Sequence, residues 1–229
     1  GPFTIEAAEA VAAGDGVEEW EVLDAILALV DKSLVVADDG GDGTRYRLLE
    51  TMRQFGGADL AAAGVATEYR VRHVDYYADY VLSRRARLHG AGDVAARGEV
   101  ERELENIRVA LRQAVDDRSS ARFEELFAAT FTIWLGRGRN LEGAGWAVEL
   151  GERPTVDPRG RIVALGLGVQ LLMQSNLALA REMADAAEAL SASTAAAPPL
   201  IAISGSAIIA LMHGATDTAR NASRRALQL

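Results

Sequence analysis

The chain has 229 residues, a formal net charge of −9 and no cysteine, which excludes disulfides, thiolate metal ligands and cysteine nucleophiles. Hydrophobic residues make up 49% and charged residues 25% of the sequence, a balance typical of a soluble globular protein. There is neither a stretch of 18 or more apolar residues nor a secretory signal, so we expect no membrane span and a cytoplasmic location.

The first part of the chain combines two predicted helices with one β-hairpin. Thr4 is placed to cap a helix over residues 5–13, and apolar residues at helical spacing predict a second helix over 18–32. Residues 34–36 are apolar and mainly β-branched, residues 44–48 alternate in polarity, and the run rich in Asp and Gly between them is typical of a turn. We expect the apolar face of this hairpin to pack on helices, because an isolated hairpin is only marginally stable.

The rest of the chain, from residue 49 onward, has the pattern of helices alone. Asn140 is placed to cap one of them. Three apolar stripes at helical spacing predict buried faces: Val74, Tyr77, Ala78 and Val81; Val100, Leu104, Ile107, Leu111 and Val115; Phe123, Phe127, Phe131 and Trp134.

The last third of the chain carries an internal repeat. A shift of 39 residues aligns positions 162–190 with 201–229, and Gly166 and Met173 recur in the second copy. Each copy predicts a helix, a short turn and a helix, and periods of about 34 to 47 residues with two helices per unit are typical of helical solenoids. We therefore predict tetratricopeptide-like helical repeats, as an incomplete array, over residues 118–229.

The sequence offers no catalytic residue and no metal site. The phosphate-loop motif Gly-x-x-x-x-Gly-Lys-[Ser/Thr] is absent, no glycines are arranged before the single lysine, Lys32, and no His-Glu-x-x-His motif occurs. We therefore predict that this segment is not an enzyme and that it holds neither a cofactor nor a metal ion.

Duplex DNA is a poor match for the charge of the first part of the chain. Two helices followed by a hairpin suggest a winged helix, a fold for which DNA binding has to be considered. Residues 1–44, however, contain eleven acidic residues and one basic residue, Lys32, which gives a net charge of −10. Contacts with phosphates supply most non-specific affinity for DNA, so we predict that this segment does not bind duplex DNA.

Several stretches of the sequence resemble a known family. Residues 27–34 read Leu-Ala-Leu-Val-Asp-Lys-Ser-Leu, and residues 45–55 read Arg-Tyr-Arg-Leu-Leu-Glu-Thr-Met-Arg-Gln-Phe. They resemble the region after the nucleotide-binding domain in bacterial signal-transduction ATPases of the STAND class, which include LuxR-type transcriptional regulators. Residues 1–11, 72–77 and 103–111 add to this resemblance.

The resemblance implies a multidomain switch. In such a protein an ATPase module binds ATP or ADP, a winged helix closes over it, and tetratricopeptide-like repeats bind a protein or a small-molecule inducer. This chain would supply a winged-helix-like domain over residues 1–64, a helical linker over 65–117 and the repeats over 118–229. We expect the ATPase module, the output domain and the first helix of the winged helix to lie outside it.

The resemblance also places the candidate nucleotide-sensing residues at the end of the hairpin. Some relatives have Met-His-Asp where this chain has Leu48-Leu49-Glu50, so a histidine contact with phosphate is not available at this position. Alternatively, the two arginines of the hairpin, Arg45 and Arg47, form only the solvated face of the hairpin. The candidates are Arg45, Arg47, Glu50 and Arg53.

Two other functions are compatible with the sequence: a stand-alone helical-repeat scaffold that binds proteins, and an enzyme with a small-molecule cleft between the repeats. The regulator hypothesis instead predicts that the segment binds its own nucleotide-binding domain.

We also expect self-association at the two ends of the chain, because an interrupted array leaves apolar faces uncovered. The residues concerned are Phe3, Ile5 and Val11 at one end and Ala226, Leu227 and Leu229 at the other.

Overall fold

The protein is described from a computed structural model. The structure divides the chain into two compact units, Gly1–Asp117 and Arg118–Leu229. No helix within the described residues combines the length and the apolar composition that a bilayer span requires. The described residues are 1–41, 43–88, 93–116, 120–136, 138–153, 157–173 and 175–194, with the single positions 217, 220, 221 and 224.

The first unit is mostly helical and contains one two-stranded antiparallel sheet. This confirms the prediction of a mainly helical chain with a β-hairpin. In chain order, its elements are α1 (Ile5–Ala12), α2 (Glu19–Asp31), β1 (Val35–Gly40), β2 (Gly43–Leu48), α3 (Glu50–Ala62), α4 (Ala66–Leu82), α5 (Arg85–Leu88), α6 (Asp93–Arg102) and α7 (Leu104–Asp116).

Local signals in the sequence determine where α1 and α2 begin. The Thr4 hydroxyl accepts a hydrogen bond from the backbone N–H of Ala7 at 3.3 Å, which confirms the predicted cap. The second helix begins with a capping box, in which the Glu21 carboxylate accepts a hydrogen bond from the backbone N–H of Glu18 at 2.8 Å. Both helices therefore begin within one residue of the predicted positions.

The turn between α1 and α2 has a left-handed backbone. Gly14, Asp15 and Gly16 have φ angles of 109°, 53° and 93°, values that glycine adopts readily and aspartate does at some strain. Arg72 of α4 holds the turn, because its guanidinium donates to the Ala13 carbonyl at 2.9 Å and forms an ion pair with Asp15. The turn is thereby tied to α4.

The start of the chain extends the hairpin. Phe3 and Tyr46 exchange two backbone hydrogen bonds, of 2.9 and 2.8 Å. The apolar face of the hairpin packs on α2, as predicted. Phe3 and Ile5, which we expected at an uncovered end, are packed as well. The apolar cluster consists of Val22, Ile26, Val35 and Tyr46, with Phe3 and Ile5 packed against it.

Two of the predicted apolar stripes form the core where α4 packs on α7. All residues of the stripes that begin at Val74 and Val100 are buried, as predicted. The second stripe, however, is divided between two helices, because the chain leaves the helical conformation at Glu103, between α6 and α7. Glu103 is itself buried, so its carboxylate requires hydrogen-bond partners inside the protein.

The second unit consists of helices in the part of the chain that the structure describes. The third apolar stripe is interrupted at Thr130, whose hydroxyl accepts a hydrogen bond from Nε1 of Trp134 at 2.8 Å. Phe123, Phe127 and Trp134 are buried as predicted, and Phe131 is half-buried. The elements are α8 (Ser120–Ala129), α9 (Phe131–Trp134), α10 (Asn140–Gly151), α11 (Pro158–Leu172) and α12 (Leu177–Thr194).

The predicted role of Asn140 as a helix cap is wrong. Arg139 occupies the capping position, and Asn140 is the first residue of α10. The Asn140 side-chain amide instead donates to the backbone carbonyl of Leu171 at 3.1 Å. This hydrogen bond ties the start of α10 to the end of α11.

The helix–turn–helix predicted for residues 162–190 corresponds to α11 and α12. Its second copy, 201–229, lies outside the described residues except for four single positions. The 39-residue repeat and self-association through Ala226, Leu227 and Leu229 therefore stay predictions.

Glycines allow α10 and α11 to approach closely. A Cβ atom at Gly143 would lie 2.6 Å from Cβ of Trp134 and 2.7 Å from Cδ1 of Leu171. A Cβ atom at Gly168 would lie 2.8 Å from Cβ of Ala147. Neither position has room for a side chain, so the packing of this unit depends on both glycines.

Candidate functional site

Glu103 is a charged residue buried in the first unit, with only 4% of its surface exposed. Its Oε1 accepts a hydrogen bond from Nη1 of Arg45 at 2.6 Å. Its Oε2 accepts from the Tyr77 hydroxyl at 3.2 Å and from the Asn106 amide at 2.8 Å. We call these four side chains the Glu103 hub; they come from β2, α4, the break between α6 and α7, and α7.

The N-terminal segment also joins the Glu103 hub. The backbone carbonyl of Pro2 accepts hydrogen bonds from Arg45 and from Asn106, both at 2.8 Å. The hairpin, the start of the chain and two core helices therefore meet at one buried carboxylate. None of these elements can shift far without breaking a hydrogen bond in the interior, where such losses are most costly.

Electrostatics fix the protonation states of Arg45 and Tyr77 in the Glu103 hub. The hydrogen bond with Glu103 raises the pKa of Arg45 above its already high value, so this guanidinium stays charged. Burial, together with the charge of Glu103, raises the pKa of the Tyr77 hydroxyl. Tyr77 therefore remains a neutral donor at physiological pH.

An open cleft of about 630 Å³ lies beside the Glu103 hub. Four of its charged groups form ion pairs, Arg45 with Glu103 and Arg84 with Glu99 at 2.8 Å, and the Arg84 guanidinium lies 3.5 Å from the centre of the Tyr80 ring. Such pairing leaves little unbalanced charge to select a small ligand. The cleft is lined by Thr4, Glu6, Arg45, Tyr76, Asp79, Tyr80, Ser83, Arg84, Glu99, Arg102 and Glu103.

The structure separates the predicted nucleotide-sensing residues into two groups. Arg45 and Arg47 line a shallow cavity of about 240 Å³ on the hairpin. Glu50 and Arg53 pair with each other at the start of α3, through hydrogen bonds of 2.5 and 2.8 Å. Arg47 is exposed and forms no ion pair within the described residues.

Arg45 is not a solvated hairpin arginine. Its side chain is 24% exposed and is engaged by Glu103 and Pro2. The alternative that both hairpin arginines simply face water is therefore wrong for Arg45 and stays open for Arg47, which is exposed.

Sequence reasoning missed Glu103 as a site residue, although a signal was available. Glu103 follows Val100 by three residues and precedes Ile107 by four, so helical spacing places it on the buried face of that stripe. A charged residue on a buried face must have a partner in the folded chain. The identity of that partner, Arg45, comes only from tertiary structure.

The described residues contain no group of three or more His, Asp or Glu side chains that could hold a metal ion. The arrangement around Glu103 suits mechanical coupling of elements, because its hydrogen bonds join the start of the chain, β2, α4 and α7.

Comparisons with known proteins find relatives in mycobacteria. "Putative HTH-type transcriptional regulator Rv0890c" of Mycobacterium tuberculosis and "Putative HTH-type transcriptional regulator Mb0914c" of Mycobacterium bovis are each 38% identical to this chain over 151 residues. The similarity covers 64% of this chain and 16% of each relative, so the chain spans only a small part of their length. No family model matches the chain, and no solved structure matches it.

Proposed function

We propose that this chain is a regulatory segment of a multidomain transcriptional regulator, of the LuxR type within the STAND-class ATPases. The observation that carries the proposal is the 38% identity, over 64% of the chain, to proteins named HTH-type transcriptional regulators. The ATPase module, with its ATP or ADP, and the DNA-binding output domain belong to other parts of the longer cytoplasmic protein. The segment itself is not an enzyme and holds no cofactor.

The first unit relays the nucleotide state in this proposal. Its hairpin contacts the nucleotide-binding domain, and Arg47 is the hairpin cation available for a phosphate or an acidic partner, because Arg45 is already paired with Glu103. The Glu50–Arg53 pair lies next to the hairpin and could open to provide a second contact. The helical repeats of the second unit bind the protein or small-molecule inducer.

The Glu103 hub supports a relay because it connects the two parts that such a relay must join. Arg45 is on the hairpin, and Asn106 is on α7, the last helix of the first unit. A movement of the hairpin displaces Arg45 and is transmitted to α7 through the hydrogen bonds of Glu103.

Hydrogen exchange of the full-length protein tests this proposal. In the wild type, replacing ATP by ADP should change amide exchange in both the hairpin and α7. In Arg45→Met the hairpin should still respond while α7 no longer does, because the connection through Glu103 is lost. Arg85→Met, on an exposed arginine of α5, is the matched control and should behave as the wild type. An undiminished α7 response in Arg45→Met would contradict the relay.

A further inference from the structure

The second helix exposes an apolar stripe in addition to the face that it buries. Val22 and Ile26 of α2 are buried against the hairpin. Trp20 and Leu27, by contrast, are 63% and 45% exposed. They are seven residues apart, which places them on the same side of the helix, two turns from each other. A largely exposed tryptophan aligned with a leucine in this way is typical of a contact surface.

Acidic side chains flank this stripe. Asp24 follows Trp20 by four residues and Asp31 follows Leu27 by four, so each carboxylate lies beside an apolar member of the stripe. Both aspartates are exposed, and neither forms an ion pair within the described residues. We call Trp20, Asp24, Leu27 and Asp31 the acidic α2 stripe.

The negative charge around the stripe restricts which classes of partner can bind to it. Residues 1–44 carry a net charge of −10, with Lys32 as their single basic residue. A second copy of the chain would bring two such surfaces together, and their like charges would repel. Nucleic acid and anionic membranes are polyanions and would be repelled for the same reason. The complementary surface is a basic one.

We propose that the acidic α2 stripe binds a protein surface on which lysine or arginine side chains surround apolar pockets. The rise of an α-helix places Trp20 and Leu27 about 10 Å apart along the axis, so the partner needs two apolar pockets at that spacing. A cation between them would face Asp24. This interface shares no residue with the Glu103 hub and goes beyond the proposed relay, so each can fail without the other.

A synthetic amphipathic helical peptide of leucine and lysine serves as the probe. Fluorescence anisotropy of the labelled peptide, titrated with the 229-residue chain, should show saturable binding that weakens as salt is raised. Trp20→Ala and Leu27→Ala should each weaken binding at least tenfold. The double variant Asp24→Asn/Asp31→Asn should weaken it and reduce its dependence on salt. Substitutions at exposed side chains leave the core intact, which circular dichroism verifies.

Two controls make the experiment specific. Val94→Ala removes a side chain that is 81% exposed on α6 and should leave binding unchanged. The same peptide with glutamate in place of lysine should not bind. The proposal is overturned by absence of binding to the Leu/Lys peptide, by wild-type affinity of Trp20→Ala, or by an equal loss in Val94→Ala. Self-association, duplex DNA binding or binding to anionic vesicles that depends on Trp20 would assign the stripe to another partner and overturn it as well.

Discussion

Glu103 illustrates how a single buried carboxylate can organise several elements. Both of its oxygens accept hydrogen bonds, and Arg45, Tyr77 and Asn106 each direct a donor at it. A buried charge is tolerated only with such compensation, and removing it takes an acceptor from three donors rather than one. Arg45 and Asn106 keep the Pro2 carbonyl as an acceptor, whereas Tyr77 loses its partner in the hub. The importance of the residue therefore exceeds that of a single ion pair.

Glu103→Ala should lower the free energy of unfolding by about 2 to 4 kcal/mol, because it breaks a partly buried ion pair and removes the acceptor of Tyr77 and Asn106. The matched control is Glu105→Ala, which removes an exposed glutamate two residues away and should change stability by no more than about 0.5 kcal/mol. Urea unfolding followed by circular dichroism measures both. Equal effects of the two substitutions would contradict the role assigned to Glu103.

His73 should make the stability of the protein depend on pH. Burial, reinforced by the N-terminal amino group and opposed by Gln113, lowers the pKa of His73 from 6.5 to about 4. The folded state therefore favours the neutral imidazole, and its contribution is complete above pH 6.5 and lost as the pH falls toward 4. Between pH 7.5 and pH 5 we expect a loss of about 2 kcal/mol.

His73→Gln isolates this effect. The difference in unfolding free energy between the wild type and the variant should shrink or reverse as the pH is lowered from 7.5 to 5, because only the wild type exposes an imidazole that takes up a proton on unfolding. Parallel pH profiles for the two proteins would show that His73 does not titrate as its burial implies.

For individual residues, the sequence predicted well which side chains are buried and poorly which side chains form ion pairs. Helical spacing identified Val74, Tyr77 and Val81 as core residues, and all three are buried. It could not predict that Arg45 pairs with Glu103, 58 positions later, because such a contact depends on how the hairpin lies on the helices. The sequence therefore identified Arg45 as a candidate site residue but did not identify its partner, Glu103.

At the scale of elements, local chemistry was enough to predict the first helices and the hairpin. The Thr4 cap and the alternation in β2 are signals carried by neighbouring residues, so they survive in any tertiary context. The break at Glu103 and the capping position at Arg139 were not predictable in the same way. Each adjoins a contact with another element that the local sequence does not reveal, Glu103 with Arg45 and Asn140 with Leu171.

Replacing either of two glycines of α10 by alanine should change the stability of the protein, in opposite directions for the two positions. Gly143→Ala would place a methyl group 2.6 Å from Cβ of Trp134 and should lower stability by about 1 to 3 kcal/mol. Gly145→Ala meets no atom within 4 Å and should raise stability by about 0.5 to 1 kcal/mol, because alanine favours the helix. Thermal unfolding of both variants provides the measurement. Shifts of the same sign would mean that Gly143 does not lie as close to Trp134 as described.

The net charge of the chain determines which partners we expect it to bind. The chain carries a net charge of −9, and residues 1–44 alone carry −10. The remainder is therefore close to neutral, and the acidity is concentrated where α1, α2 and the hairpin lie. Fold alone would suggest DNA binding for these elements, whereas their charge argues against it.

The 229-residue chain should show no saturable binding to a labelled 20-base-pair duplex at physiological salt, at protein concentrations up to about 100 µM. The physical reason is repulsion between phosphates and the acidic first part of the chain. Anisotropy titrations at two salt concentrations measure it. Micromolar affinity with a steep salt dependence would contradict the prediction and reveal a basic surface formed by other residues.

The three tryptophans of the chain are distributed so that each unit carries its own fluorescent reporter. Trp20 is exposed in the first unit, whereas Trp134 and Trp146 are buried in the second. The emission of Trp20 should be red-shifted and readily quenched by acrylamide, and that of the other two blue-shifted and protected. Neighbouring carboxylates such as Asp24 should make caesium a better quencher of Trp20 than iodide. With Trp20→Phe for comparison, one optical experiment on an unlabelled chain can follow the unfolding of the two units separately.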